Sequence, residues 1–236
     1  YDPTAVSTEE ILEGMSSSHW LGTDALGRDI LSRTIYGART SVAFAFVAAF
    51  CTMVLGLMLG ILSGYFGGWV DRGIQCLVAV FQGLPGMSLM IAIAAILPEN
   101  NFRLIIALTL TSWAGFSRIV RSEVIRIRRE LYMESIKSLG ASHGYIVRKY
   151  VLPNVLPVVI VLLTLRIGTS LLSASALSYL GLGVSPPTAD WGVMISDART
   201  YFRSYPLMMI APGTGITLFC LSINLLGDAM RERIRR

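Results

Sequence analysis

Long stretches almost free of charged residues alternate along this chain with short segments that carry nearly all of its ionisable side chains. Only 15% of the residues are charged and 53% are hydrophobic, whereas a soluble domain has about 25% charged residues. A helix needs about 20 apolar residues to cross the hydrocarbon layer of a membrane. Because only helices or closed barrels satisfy the backbone inside lipid, the pattern predicts an all-α integral membrane protein.

Five stretches are long enough to span the membrane. They cover residues 40–65, 73–97, 102–119, 158–182 and 207–226. The second stretch is interrupted by Gly83-Leu84-Pro85-Gly86, and a break inside the membrane is tolerated only where protein or a water-filled cavity covers the freed backbone groups. The interruption indicates either a packing kink or a pathway lining, whose candidate residues are Pro85, Gly86, Met87 and Met90.

Two features inside the spans predict particular neighbours. Gly56, Gly60 and Gly64 recur every four residues, a spacing that lets a second helix approach closely, either in this chain or in another subunit. Arg166 is a cation deep in an apolar run, which costs roughly 2.5–3.5 kcal/mol on insertion scales. We expect its charge to face protein or water, or to reach the headgroups if its helix begins early.

The densest basic segment comprises residues 118–157, and we call residues 120–157 the basic loop. Apolar spacing predicts an amphipathic helix over residues 123–139, with Ile125, Tyr132, Ile136 and Leu139 facing the span ends. Gly140 is suited to a left-handed helix stop, which would let a second short helix follow over residues 141–148. A helix of this kind can also hold anionic lipid, here through Arg126, Arg128 and Arg129.

The distribution of Lys and Arg predicts the orientation of the chain. Cytoplasmic loops are enriched in these residues, so we expect the basic loop and the end at Arg236 to be cytoplasmic. Five spans then place Tyr1 and the loop 183–206 on the extracytoplasmic side. Asp29 and Arg33, four residues apart, are consistent with an interfacial helix in the extracytoplasmic segment 1–36.

The chain lacks the sequence motifs of a catalyst or an ATP-binding protein. It contains no G-x-x-x-x-G-K-[ST], H-E-x-x-H or G-x-S-x-G pattern. The spans have almost no Asp, Glu or His, the groups that ion-coupled transporters use as relays. The chain is therefore predicted not to be an enzyme, and an active transporter of this composition must take its energy from a partner.

The basic loop also carries an ordered pattern. Glu134, Gly140 and Leu152-Pro153 follow the spacing E-(x)5-G-(x)11-LP. This spacing resembles the cytoplasmic loop of the membrane-spanning subunits of bacterial ABC importers, although Ser135, Ile136 and Tyr150 depart from the family pattern. Residues 21–41 resemble the LGTD-x-LGRD text of the dipeptide, oligopeptide and nickel branch of that family. Residues 187–199 look closest to its nickel members.

The resemblance implies a type I ABC importer permease fold, with a permease domain at 37–236 that includes the basic loop and the loop 183–206. The family has one further helix before the first of these five, which predicts a six-span parent. It also implies a multi-pass protein of the bacterial cytoplasmic (inner) membrane, in contact with membrane lipid and not with nucleic acid. The implied cargo is nickel, a metal–chelator complex, or a dipeptide or oligopeptide.

The resemblance also implies partners. These are a homologous second permease, two ATPase subunits that bind ATP and Mg, and an extracytoplasmic substrate-binding protein, with no cofactor or metal in this chain. The residues implied to contact the ATPase are Glu134, Leu139, Gly140, Ala141, Ser142 and His143. The candidate contacts with the binding protein are Pro186, Pro187, Trp191 and Arg199. The alternative is a membrane channel or scaffold whose basic loop binds anionic lipid or a cytosolic regulator.

Overall fold

The computed structural model describes residues 1–100 and 102–235, and these residues build an all-helical fold. Arg236, at the end predicted to be cytoplasmic, lies outside the described residues. The helices are α1 Ile30–Phe66, α2 Gly68–Gly83, α3 Gly86–Ile96, α4 Phe102–Arg128, α5 Leu131–Ser138, α6 His143–Ile146, α7 Leu152–Tyr179, α8 Trp191–Ala198 and α9 Leu207–Arg235. A π-helical turn, Val147–Val151, joins α6 to α7.

Within the described part of the chain, four helical segments are long and apolar enough to cross a membrane, namely α1, α4, His143–Tyr179 and α9. The pair α2 and α3 counts as a fifth span if the two helices are one broken crossing. They meet at 93°, at the interruption Gly83-Leu84-Pro85-Gly86 that the sequence singled out. The position of the break therefore matches the sequence prediction, and the number of spans matches it if α2 and α3 form one crossing.

The glycine ridge of α1 packs against α4 of the same chain. A Cβ atom on Gly60 would lie 2.6 Å from Val120 Cβ, and one on Gly64 would lie 2.8 Å from the carbonyl oxygen of Arg121. Only glycine leaves room for a backbone approach this close. The structure thus decides between the two partners that the spacing left open.

The N-terminal segment 1–29 is irregular and is anchored at the start of α1. Asp29 caps that helix, since its carboxylate accepts a hydrogen bond from the N–H of Ser32 at 2.7 Å. The same carboxylate lies 2.9 Å from Nδ1 of the buried His19. The separate interfacial helix expected in residues 1–36 is not formed, because the helix that Asp29 caps continues without a break to Phe66.

The loop 183–206 folds back into the helical body. Asp190 caps α8 by accepting hydrogen bonds from two N–H groups of its first turn, and it also accepts one from the Ser41 hydroxyl of α1. The Trp191 indole is only 4% exposed, and its Nε1 donates to the Thr34 carbonyl at 2.9 Å. Trp191 is therefore part of the core, and the prediction that it meets a binding protein at the surface is wrong.

The residues at the broken span divide into two groups. Pro85, Gly86 and Met87 are exposed at the bend. Met90 is only 6% exposed and packs in a cluster with Ala94 and Leu104. The pathway-lining role predicted for Met90 is wrong, because this residue lies one turn into α3 and its side chain faces the neighbouring helix α4. Pro85, Gly86 and Met87 remain candidates for the pathway lining.

We expect Gly60→Ala to destabilise the subunit by about 1–3 kcal/mol, the usual cost of overpacking, because the methyl group meets α4 backbone and Val120. Gly73→Ala in α2 is the matched control, since a Cβ atom there meets nothing within 4 Å. Thermal unfolding of the detergent-solubilised subunit measures both. Equal midpoints for the two variants would show that the α1–α4 contact is not tight.

We expect the order of the N-terminal segment to depend on pH through His19. The Asp29 carboxylate that bonds its ring raises the pKa of His19, and Glu10 adds to this effect while burial opposes it. A raised folded-state pKa gives stability that is complete below about pH 6.5 and is lost as the pH rises through the folded pKa. Protease cleavage within residues 1–29 should speed up in that direction, and His19→Gln should remove the dependence.

Candidate functional site

The basic loop is a compact unit that is packed onto the ends of three long helices. Its innermost side chains, Met133 of α5 and Ile146 of α6, are completely buried. They share one apolar cluster with Ile61 and Tyr65 of α1 and with Ile127 of α4. This contact fixes the loop to the helical body, so that a force on the loop is transmitted to the long helices.

The predicted helix over residues 123–139 is two helices. It breaks after Arg128 in a turn in which the Glu130 N–H donates to the Ile127 carbonyl. The break resets the helical phase, so Met133 points inward while Leu139 is 86% exposed and Tyr132 is 42% exposed. The predicted inward stripe is therefore wrong for Leu139 and Tyr132, and correct for the half-buried Ile136.

Gly140 ends α5 in the left-handed conformation that the sequence predicted, with φ of +80°. Its N–H donates to the Lys137 carbonyl at 3.0 Å, and the Ala141 N–H donates to the Ile136 carbonyl at 3.4 Å. These two bonds form a Schellman motif. The side chains of Ala141 and Ile136 both pack on the apolar cluster, which holds the turn in one shape.

The helix that follows the turn is not a separate element. Ser142 caps α6, and the chain then continues helically from His143 to Tyr179 through the π-helical turn. In that turn the Leu152 N–H donates to the Val147 carbonyl, just before Pro153, which has no N–H to donate. The prediction of a distinct helix over residues 141–148 is wrong, and the turn at Gly140 instead lies just before a helical segment of 37 residues, which is as long as α1.

Two aromatic side chains of α1 that the sequence did not single out, Tyr65 and Phe66, fasten the loop to that helix, and Arg128 adds to the contact. Tyr65 Oη lies 3.0 Å from Nδ1 of His143, and the Phe66 ring lies against the same imidazole. Arg128 donates to the carbonyl groups of Gly64 and Tyr65 at 3.3 and 3.0 Å. These carbonyls are at the end of α1, where a helix lacks intrahelical donors and favours a cation.

The surface of the loop combines apolar and acidic groups around the Gly140 turn. Leu131 is 84% exposed and Leu139 is 86% exposed. Large exposed apolar residues on a rigid unit indicate a protein contact. Glu134 lies exposed between them. Within the described residues this carboxylate receives no hydrogen bond from the turn. We call Leu131, Glu134, Leu139, Gly140 and Ser142 the docking surface.

The arginines that could have held lipid are partly engaged inside the chain. Arg126 pairs with Glu123 at 2.5 Å and with Glu130 at 3.6 Å, and Arg128 binds the end of α1. Arg129 is exposed. This arrangement favours a structural role for two of the three cations over a lipid-binding role.

Comparisons with known proteins agree with this architecture. The family model "Binding-protein-dependent transport system inner membrane component" matches residues 56–236. The dipeptide transport system permease protein DppC of Alkalihalophilus pseudofirmus is 40% identical over 223 residues, which are 94% of this chain and 73% of that protein. The glutathione transport system permease protein GsiD of Pectobacterium atrosepticum is 38% identical over 226 residues, 96% of this chain and 75% of that protein.

Solved structures share the fold. The inward-facing MetNI methionine ABC transporter superposes with a TM-score of 0.70 at 18% identity, over 94% of this chain and 100% of the matched chain. A crystal structure of an amino acid ABC transporter gives a TM-score of 0.65 at 17% identity, over 86% and 94% of the two chains. At these identities the likeness shows a common fold, which is the fold class predicted from the sequence.

We expect Arg128→Met to destabilise the subunit by about 1–2 kcal/mol, since it removes two charge-assisted hydrogen bonds from the end of α1. Arg129→Met removes the same charge at the next, exposed position and should have almost no effect. Thermal unfolding, with and without anionic lipid, separates the two roles. If the variants lose only lipid-dependent stability, and to the same extent, the arginines serve lipid instead.

Proposed function

Because the chain belongs to the family of binding-protein-dependent transport system inner membrane components, we propose that it forms half of a path for dipeptides, glutathione or similar short peptides. It is a non-catalytic permease subunit of an ABC importer in the peptide branch. The chain provides the membrane-embedded helices, and ATP and Mg bind to partner subunits. ATP hydrolysis in those partners would switch which side of the path is open.

The relatives support a peptide as the cargo. DppC and GsiD are named for dipeptide and glutathione transport, and they match this chain at 38–40% identity over nearly its whole length. Both cargoes are small, flexible molecules with at least one free carboxylate. The nickel or metal–chelator cargo suggested by residues 187–199 stays a prediction, and the relatives named here do not add support to it.

The docking surface is the proposed contact with an ATPase subunit, together with the flanking Ala141 and His143. One observation carries this proposal: the exposed turn at Gly140 packs on the apolar cluster through Ile136 and Ala141, and the chain then enters the helical segment His143–Tyr179, which contains α7. A partner that grips Leu131 and Leu139 would therefore move α7 as a rod. The alternative, a channel or scaffold that uses the loop to bind lipid, does not account for a surface that exposes two leucines around a carboxylate.

The remaining partners follow from the same proposal. A homologous permease would complete the path, and a substrate-binding protein would deliver the cargo on the side of Tyr1, which we propose to be extracytoplasmic. Pro186, Pro187 and Arg199 are exposed in the loop 183–206 and are the proposed contacts with that protein. In this orientation the docking surface faces the cytoplasm, where ATP is available.

We expect Gly140→Val to reduce ATP-dependent uptake, and ATP hydrolysis stimulated by the loaded binding protein, at least tenfold. A β-branched residue at φ of +80° costs about 1–2 kcal/mol or more and remodels the turn, although its Cβ meets nothing within 4 Å. The measurement uses the complete complex of both permeases, the two ATPase subunits and the binding protein in proteoliposomes.

Gly144→Val is the matched control. Gly144 is four residues away, is equally exposed and has equally open surroundings, but it has an ordinary helical φ. This variant should keep most of the uptake. Normal uptake by a correctly inserted Gly140→Val complex would contradict the proposed role of the turn.

A further inference from the structure

Arg166 lies near the middle of α7, far from both ends of the helix. At 1.5 Å per residue, about 20 Å of helix separates it from Leu152 and from Tyr179. Its helix does begin earlier than the sequence predicted, at Leu152 instead of residue 158, and a route from Arg166 to the near headgroups stays a prediction. A guanidinium in the middle of an apolar helix has to be compensated by protein, water, a headgroup or a ligand.

The side chain of Arg166 lines an open cleft between α4 and α7. The cleft has a volume of about 310 Å³, within the range of small-molecule sites. Ser112, Gly115 and Ile119 of α4 form one wall, and Leu162 and Thr169 accompany Arg166 on the other. The lining thus combines one cation with two hydroxyl-bearing residues and an apolar remainder.

The cleft contains no anion of its own. The residues that line it include no Asp or Glu, and Arg166 Nε is buried without a hydrogen-bond acceptor among the described residues. Other arginines of the helical body are served within the chain, since Arg33 pairs with Asp24 and Arg121 with Asp71. Because an unpaired and partly desolvated charge is costly, an anion from outside this chain that enters the open cleft would be stabilised by Arg166.

We propose that Arg166 binds the C-terminal carboxylate of a peptide as it passes along this cleft. The planar guanidinium offers two parallel N–H donors that match a carboxylate. Ser112 and Thr169 line the same cleft, where their hydroxyl groups can form hydrogen bonds with peptide amides. Ile119 and Leu162 provide apolar surface for the side chains of the peptide. This inference rests on the proposed function and assigns a substrate group to a specific residue.

The position of Arg166 also connects it to the docking surface. Arg166 belongs to the continuous helical segment His143–Tyr179, which begins three residues after Gly140. A displacement of the docking surface along this rod would move the guanidinium within the cleft. The same movement that reorients the path would therefore change the grip on the carboxylate.

The test uses the complete complex in proteoliposomes, with the loaded binding protein at a saturating concentration. The probe is labelled dialanine or glutathione, whichever the wild-type complex takes up. We expect Arg166→Gln to reduce uptake at least tenfold, and Arg166→Lys to retain more uptake than the glutamine variant because it keeps the charge. Arg39→Gln, which removes an exposed charge from α1, is the matched control and should transport normally.

A second arm uses the wild-type complex with the C-terminal amide of the same peptide, after fluorescence titration has established saturation of the binding protein. We expect the free acid to be taken up at least tenfold faster than the amide in the wild type, and this ratio to fall towards one in Arg166→Gln. A wild-type ratio near one would overturn the inference, as would unimpaired uptake by Arg166→Gln.

Other sources of the anion give different results. If Arg166→Gln lowers the amount of second permease that co-purifies, the carboxylate belongs to that subunit and the inference is overturned. A fall of wild-type uptake to the level of Arg166→Gln when anionic lipid is replaced by neutral lipid would identify a headgroup instead, with the same consequence. If the wild-type complex takes up no peptide at all, the proposed function fails before the role of Arg166 is addressed.

Discussion

The close contact between α1 and α4 is the interaction on which the other features depend. Its glycine ridge brings two backbones together, and its far end opens into the apolar cluster that contains Tyr65, Ile127 and Met133. Hydrophobic burial drives helices together only weakly inside lipid, so close packing of small residues has to supply the association. The basic loop is rigid because it is built on this contact, and a loose loop could not transmit a force.

The loop and α7 form one mechanical unit. The Schellman turn at Gly140 closes α5, and the following residues enter a helical rod that passes Arg166 and ends at Tyr179. The π-helical turn absorbs the missing N–H of Pro153 without a break in the rod, and such turns recur at functional positions in helices. An external partner and a substrate in the path would therefore act on the same element, the partner at its start and the substrate near its middle.

Several features could be predicted because they depend on local chemistry. Local backbone restrictions predict the interruption at Pro85 and the left-handed stop at Gly140. The length of each apolar stretch predicts the spans. Other predictions failed where distant segments decide the outcome. The sequence around Trp191 is typical of a surface loop. The ring is nevertheless buried, because Gly37 and Gly215 of neighbouring helices leave space for it. Leu139 was expected inside and lies outside, because one turn at Glu130 shifts the phase of α5.

The sequence by itself determined that the chain spans a membrane, where its second span is interrupted, which loop carries most of the basic residues and which family the chain resembles. It could do so because periodicity, hydropathy and spacing are properties of the chain alone. Only the tertiary structure decided which helix the glycine ridge meets, which arginines are satisfied internally and which one faces an open cleft. The physical reason is that three-dimensional proximity decides which group meets a buried charge or a flat helix face. Arg128 and Tyr65 are more than sixty positions apart, and nothing in the sequence around either residue predicts their contact.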